Sequence, residues 1–377
     1  KSKTPMSEQY PILHLKPGRE RSVLNRHPWV FSGAFQNLKN NLEDGALVEI
    51  LDAQNNFLAY GHYCHDASLA CRLFHFGERI IINNQFWETR FRQALNFRKQ
   101  LGFVQNQIQG YRLFYAEGDG LPGIVCDVFG STYSLQLKTK GAENLKPLIE
   151  SFLKDELSLT EAHSECSFVE DKLNFLLDAT LGQKTGYFLD QRDNRRLFGH
   201  YAKNKRVLDV FSYSGGFSLY ALANNAAHVT SLDISEEALK LCEKTVLANF
   251  DKPMAHDLVC GDSFDYLREM APEAFDLIVL DPPAFCKNAS TIQKACRGYK
   301  DINLQALKNI APNGLLFTFS CSQHISKELF RQVIYGAAKD AGRFVRVIHE
   351  MGQAPDHPVS IFHPEGDYLK GLVLAVS

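Results

Sequence analysis

The sequence predicts an α/β fold: a doubly wound parallel sheet with an antiparallel edge hairpin at the C-terminal end, preceded by a small β-barrel and a small middle α+β domain. From about Val169, short apolar runs alternate with amphipathic stretches, the pattern of strands joined by crossover helices. Two of these runs end in residues with chemistry of their own, Leu280-Asp281-Pro282-Pro283 and Phe319-Ser320-Cys321-Ser322. Open α/β sheets hold their ligands at the carboxyl ends of parallel strands. Ahead of Val169 the pattern is different, with short β-type runs and glycine turns followed by a mixed segment.

The first β-type runs are Ile12-Leu13-His14-Leu15, Trp29-Val30-Phe31, Leu47-Val48-Glu49-Ile50-Leu51, Phe57-Leu58-Ala59-Tyr60 continuing into Tyr63, and 69–74. Several short strands with turn signals between them predict a barrel or sandwich over residues 8–80. A helix over 86–101, strands within 111–138 and a helix over 146–157 make residues 81–168 a separate α+β domain. Residues 169–377 then carry strands at 206–211, 228–232, 257–260, 276–280 and 314–319. Helices at 217–223, 236–248, 264–270 and 302–310 separate them, and 344–348 pairs with 369–376 as the edge hairpin.

With 377 residues, 45% hydrophobic and 22% charged, the chain is long enough for two or three globular domains. No apolar stretch approaches the roughly 20 residues of a membrane span. The opening residues 1–7 lack the apolar core of a signal peptide and read as a disordered lead, with Met6 a candidate start. Nine cysteines without a secretory signal point to reduced thiols and a cytoplasmic protein. His62, Cys64, His65 and Cys71 match no common zinc spacing and alternate within a strand-like run, so no metal is expected. At a net charge of −2, nucleic-acid binding needs positive charge gathered locally. The candidate patches are Lys16, Arg19, Arg21 and Arg26; Arg90, Arg92, Arg98 and Lys99; and a basic loop with Lys287, Lys294, Arg297 and Lys300.

The first strand of the C-terminal sheet opens into Ser212-Tyr213-Ser214-Gly215-Gly216. That glycine pair lacks the G-x-G-x-x-G spacing that admits a pyrophosphate, which favours a nucleoside cofactor without phosphates. Asp233 ends the second strand, where an acid reaches ribose hydroxyls, and Asp262 follows the third, where a carboxylate can accept from an adenine amine. Each alone is better explained as a helix cap. Together with Asp281, in this order, they point to S-adenosylmethionine.

These residues, with Gly186-Tyr187-Phe188-Leu189-Asp190-Gln191-Arg192 and Arg297-Gly298-Tyr299-Lys300-Asp301-Ile302-Asn303, resemble the RlmI-like family of 23S ribosomal RNA cytosine-5 methyltransferases. The resemblance runs the whole length. It implies an N-terminal PUA domain that binds RNA, opened here by Lys16-Pro17-Gly18-Arg19-Glu20 and His27-Pro28-Trp29-Val30-Phe31, before a Rossmann-like methyltransferase domain. It implies that Tyr187, Phe188, Asp190 and Arg192 cover or support the cofactor, with 183–185 leading into that cover. Gly215 and Gly216 would approach its methionine part, Asp233 its ribose and Asp262 its adenine. Asp281 would hold the target cytosine and Cys321 would be the nucleophile; a homodimer is also implied.

The chemistry suits these residue types. Carbon 5 of cytosine is a poor nucleophile until a thiolate adds at carbon 6. Asp281 near N3 and the exocyclic amine would favour that adduct. Some related enzymes place a second cysteine directly after the acid-proline motif; here Ala284 stands there, and Cys286 reads as a small structural residue. The acceptor of the carbon-5 proton is open among His324, His357 and water. The competing reading is an N-methyltransferase using Asp281-Pro282-Pro283 and Phe285 to hold an exocyclic amine, which needs no thiol. A non-catalytic RNA-binding assembly protein is the second alternative, and a dehydrogenase is disfavoured by the glycine spacing.

Overall fold

The computed structural model describes residues 10–36, 38, 42–65, 67–104, 109–163, 165–178, 187–286 and 288–377. The expectations placed on 1–7, 183–185, Gly186 and Lys287 lie outside these residues. The chain forms two compact units, one running to Ala162 and taking in Asp356–Gly366, the other made of His163–Pro355 and Asp367–Ser377.

In the first unit, β1 (Ile12–His14), β2 (Trp29–Phe31), β3 (Leu47–Leu51), β4 (Phe57–Tyr63) and β5 (Leu69–Phe76) form a sheet in the order β1-β3-β4-β5-β2. An antiparallel bridge between Leu15 and Phe35 ties the chain after β1 to the chain after β2, closing the barrel. A short helix α1 (Arg21–Leu24) lies between the first two strands. Leu13, Val30, Val48, Ile50, Ala59 and Leu73 fill the barrel, as the period-two alternation of each strand requires.

Helix α2 (Asn84–Gln100) starts where Asn83 accepts the Phe86 amide at 3.0 Å. It buries Trp87, Phe91, Ala94 and Leu95, one stripe of a 3.6-residue period. Its partners are a second sheet, β6 (Gly110–Tyr115), β7 (Ile124–Phe129), β8 (Thr132–Leu137) and β9 (Thr160–Glu161), with helices α3 (Lys140–Glu143) and α4 (Lys146–Leu157). Tyr60 and Phe74 of the barrel belong to the same core, so barrel and second sheet share one apolar interior.

The second unit opens with an antiparallel hairpin, β10 (Glu165–Glu170) and β11 (Leu173–Asp178), and helix α5 (Arg192–His200). Its main sheet comprises β12 (Arg206–Val210), β13 (His228–Asp233), β14 (His256–Cys260), β15 (Leu277–Leu280), β16 (Gly314–Ser320), β17 (Val345–Met351) and β18 (Lys370–Val376). Their order is β14-β13-β12-β15-β16-β18-β17, with β18 antiparallel to both its neighbours. The chain order therefore reverses between β12 and β15, the switch point at which such sheets open a crevice. Helices α6 (Gly216–Ala223), α7 (Glu236–Leu247), α8 (Ser263–Glu269), α9 (Ile292–Asn309) and α10 (Lys327–Ala341) cover the sheet.

Two expectations need correction. Lys294, Arg297 and Lys300 of the basic loop are helical: α9 begins at Ile292 rather than 302, because Ala295, Tyr299, Ile302 and Ala306 form a buried stripe that the intervening basic residues disguise. The run Arg90, Arg92, Arg98 and Lys99 is not one exposed patch. Arg98 is fully buried, donating to both Asp119 oxygens at 2.5 and 2.9 Å and to the carbonyls of Arg112 and Asp356.

The turn from β12 to α6 is the tightest point of the second unit. Gly215 has φ +77°, and a Cβ there would stand 2.2 Å from Cys242 Sγ on α7. Gly215→Ala should cost about 1–3 kcal/mol in stability from the backbone conformation, with the thiol clash added. Adding Cys242→Ala should recover only the clash. Urea unfolding of both variants checks this; an unchanged Gly215→Ala would contradict the packing.

Candidate active site

The site is built at the carboxyl ends of β12, β13, β15 and β16. After β12 the chain makes three left-handed residues in five: Phe211 at φ +65°, Tyr213 at +49° and Gly215 at +77°. Bulky residues adopt such angles only where surrounding structure holds them. Asp233 is the holder: its carboxylate accepts the Tyr213 amide at 2.8 Å and the Ser235 amide at 2.9 Å. The turn presents backbone and polar side chains to the crevice, with the Ser212 and Tyr213 hydroxyls buried and unpartnered. Asp190 Oδ1 is a third such atom, while its other oxygen accepts from the Tyr368 hydroxyl. Orphaned polar atoms of this kind fit a nucleoside ligand that brings hydroxyls and amines.

The glycines and the covering segment have packing reasons as well. A Cβ on Gly216 would meet Arg195 Cδ at 3.0 Å and lie 3.6 Å from the Tyr187 hydroxyl. Tyr187 is buried under the Arg195 guanidinium, 4.4 Å from its ring centroid, and burial pushes its phenol well above the usual range. Phe188 is exposed and meets the Tyr213 ring edge-on at 5.6 Å. Arg192 is fully buried beside Glu170, at 3.4 Å. Asp262 is exposed and caps α8, one oxygen accepting the amides of Phe264 and Asp265.

Asp281 follows β15. A relay fixes it: Asn194 donates to the carbonyl of Gly352 at 3.0 Å and to Gln191 Oε1 at 2.6 Å, which leaves the Gln191 amine to donate to Asp281 Oδ1 at 2.9 Å. Removal from water, with Asp190 and Asp209 nearby, pushes the Asp281 carboxyl up to about 8. Cys321 follows β16, the strand beside β15, and its Sγ lies 3.9 Å from the Pro282 carbonyl. The structure thus brings Asp281 and Cys321 to adjacent strand ends. Ser322 locks the loop, its hydroxyl accepting the Cys286 amide at 3.1 Å and meeting the Tyr299 hydroxyl at 2.8 Å. Cys286 itself is buried, its thiol directed to the Asn288 carbonyl at 3.2 Å, while Phe285 packs on Tyr299 at 4.7 Å.

Sequence reasoning missed Gln191, Asn194, Asp209 and Lys370. Lys370 is buried at the start of β18 and donates to the Ser322 carbonyl at 2.7 Å. Its signal was a lone cation opening the apolar run after Leu369. Asp209 lies inside β12 among apolar neighbours, which hid it.

Of the basic residues, Lys16, Arg19 and Arg21 are exposed in the first unit. Arg19 and Arg21 line a groove of about 650 Å³ with Trp29 and Phe31, whose ring is 53% exposed. Arg297 is exposed on α9, whereas Lys300 is paired with Asp340 at 2.6 Å. Of the candidate bases, His324 is exposed and His357 is buried in the first unit beside Asp356, at 3.1 Å. Among the described residues no cluster of His, Cys, Asp and Glu could hold a metal, and no helix is long and apolar enough to cross a membrane.

Residues 13–76 match the model of a PUA-like domain and 155–359 that of S-adenosylmethionine-dependent methyltransferases. Ribosomal RNA large subunit methyltransferase I of Klebsiella pneumoniae is 39% identical over 97% of this chain and 98% of its own length. The protein of that name from Pseudoalteromonas atlantica is 37% identical over 96% and 98%. A Streptococcus mutans protein assigned as a SAM-dependent methyltransferase shares the fold, with a TM-score of 0.84 at 21% identity over 97% of this chain and all of its own. A structure assigned as a methyltransferase and solved with SAH gives 0.86 at 21% identity, over the same shares.

The buried acid of β12 makes stability depend on pH. Asp209 accepts the amide and hydroxyl of Ser218 at 3.0 and 2.7 Å, yet burial pushes its carboxyl from 3.8 up to about 7. Between those values the folded chain holds a proton that the unfolded chain releases, so stability falls as pH rises from about 4 to about 7. Asp209→Asn keeps an acceptor for Ser218 and should remove roughly 2–4 kcal/mol of that fall. Urea unfolding at pH 5 and pH 8 measures it, and an identical pH dependence in the variant would contradict the assignment.

Proposed function

Because this chain belongs to the ribosomal RNA large subunit methyltransferase I family, a PUA-like domain followed by an S-adenosylmethionine-dependent methyltransferase domain, we propose that it methylates carbon 5 of a cytosine in 23S ribosomal RNA through a covalent adduct with Cys321. The observation that carries this reading is the pairing of a thiol and an acid on adjacent strand ends, with Cys321 Sγ 3.9 Å from the carbonyl that follows Asp281. An amine-methylating site has no use for that thiol, and Phe285 is engaged in packing on Tyr299 rather than presented as a platform.

S-adenosylmethionine is the cofactor, and when bound it supplies a methyl group on a sulfonium. Tyr187, Phe188, Asp190 and Arg192 cover and brace its site, and Gly215 and Gly216 let the backbone approach. Asp233 and the second oxygen of Asp262 take the ribose and adenine ends. On the cytosine side, Cys321 Sγ bonds to carbon 6 and the carbon 5–carbon 6 electron pair shifts toward carbon 5. Asp281, protonated at neutral pH, donates to N3, where the ring gathers charge. After methylation a base removes the carbon-5 proton, the double bond re-forms and Sγ departs as thiolate. Lys16, Arg19 and Arg21, with the Trp29 and Phe31 rings, form the RNA-binding face of the first unit, by phosphate contact and stacking. Lys287 and Arg297 extend this role in the second unit, and Lys300 joins them only on leaving Asp340.

Cys321→Ala should lower methyl transfer to 23S RNA by at least about a thousand-fold, as expected for a covalent nucleophile. Cofactor affinity by calorimetry should stay unchanged, and Cys286→Ala should keep most activity. Nucleoside mass spectrometry should find 5-methylcytidine as the product. A methylated exocyclic amine, or near-normal turnover by Cys321→Ala, would sink the reading.

A further inference from the structure

A buried lysine is uncommon, because its ammonium gives up water that a neutral partner replaces only in part. Lys370 is 4% exposed. Antiparallel pairing sets it opposite Ser320, and its Nζ reaches the Ser322 carbonyl at 2.7 Å. Those two residues flank Cys321 in the chain, so the Lys370 side chain runs from the strand position before the thiol to the carbonyl after it. A carbonyl accepts one of its three protons and contributes no charge. Burial lowers the Lys370 ammonium to about 8, with the attraction of a Cys321 thiolate working the other way.

The other groups that bear on it are Asp367 and Lys327, already paired with each other at 2.5 Å. From α9, the Tyr299 hydroxyl meets Ser322 and comes within the field of Cys321. None of these supplies a buried positive charge beside Cys321.

We propose that Lys370 is a positioning residue for Cys321, its ammonium anchored on the Ser322 carbonyl so that Sγ is held as a thiolate and directed into the crevice. This rests on the reading of Cys321 as nucleophile. The thiol proton passes to solvent before RNA binds, and Lys370 keeps all three of its own throughout. A charge in a low-dielectric site acts more strongly than at a surface. The same ammonium favours sulfur as leaving group when the double bond re-forms, since negative charge then returns to Sγ.

The test needs no RNA. Iodoacetamide labelling of the full chain between pH 5 and 9.5, read by peptide mass spectrometry, compares Cys321 with the exposed Cys260 in the same sample. Wild-type Cys321 should label with a midpoint at least about one pH unit below Cys260. Lys370→Met should raise the Cys321 midpoint by about one unit or more without moving Cys260, and Lys370→Arg should restore most of the difference. Methyl transfer by Lys370→Met at pH 7 should fall about ten-fold or more in kcat, with KM for the cofactor unchanged. Coincident Cys321 profiles in wild type and Lys370→Met would overturn the proposal. Should Lys370→Met not fold, a wild-type Cys321 midpoint at or above that of Cys260 overturns it alone. Normal turnover by Cys321→Ala would instead remove the nucleophile reading while the labelling profiles still report on Lys370.

Discussion

The hydrogen bond from Gln191 to Asp281 joins the two parts that the site requires. Gln191 belongs to the covering segment before α5, and Asp281 to the end of a central strand. An amide can point either way, and here Asn194 and the Gly352 carbonyl settle which end faces the acid. The cover, the acid and the strand order are thereby coupled, and Asp233 completes the arrangement by clamping the strained turn after β12. A site held by several such bonds is pre-organised before ligands arrive, which lowers the reorganisation that chemistry would otherwise require.

That pre-organisation is electrostatically expensive. Asp190 and Asp209 both bear on Asp281, and burial drives Asp209 and Asp281 toward the neutral form. A neutral Asp281 is an acid that can donate, whereas an ionised one could only accept. Lys370, buried and bonded to the Ser322 carbonyl, is anchored on the loop that carries Cys321. Under the proposed chemistry the edge is divided: Asp281 would donate a proton to the base, and Lys370 would favour negative charge on the sulfur. Opposite demands on two groups a strand apart are met by environment rather than by residue type.

Much of this was legible in the sequence. The strands from Trp29–Phe31 and Leu47–Leu51 to His228–Asp233 and Gly314–Ser320 fall where period and turn residues put them, and helix Lys146–Leu157 matches the expected span. Cys321 and Asp281 stood out because polar residues at strand ends interrupt apolar runs, and the structure sets them after adjacent strands. The hairpin Glu165–Glu170 with Leu173–Asp178 went unread, since short mixed runs carry weak periodicity, and helix Lys327–Ala341 was passed over although Phe330, Ile334 and Ala337 form a buried stripe between the caps Ser326 and Gly342. Lys300 and Arg98 looked like surface charge, but their partners Asp340 and Asp119 are remote or hidden in sequence. Lys370 and the Asn194–Gln191 relay depend on strand pairing and side-chain orientation, which no local pattern encodes.

The proposed chemistry requires one bond, between Cys321 Sγ and carbon 6 of the target base. RNA substrate carrying 5-fluorocytidine blocks the last step, because fluorine cannot leave as the carbon-5 proton does. With S-adenosylmethionine present, wild-type protein should accumulate a denaturation-resistant RNA adduct, and peptide mass spectrometry should place it on Cys321. Methylated 5-fluorocytidine-free RNA should form normally in the parallel reaction. Active enzyme that forms no adduct with the fluorinated RNA, or forms it on another cysteine, would contradict the account.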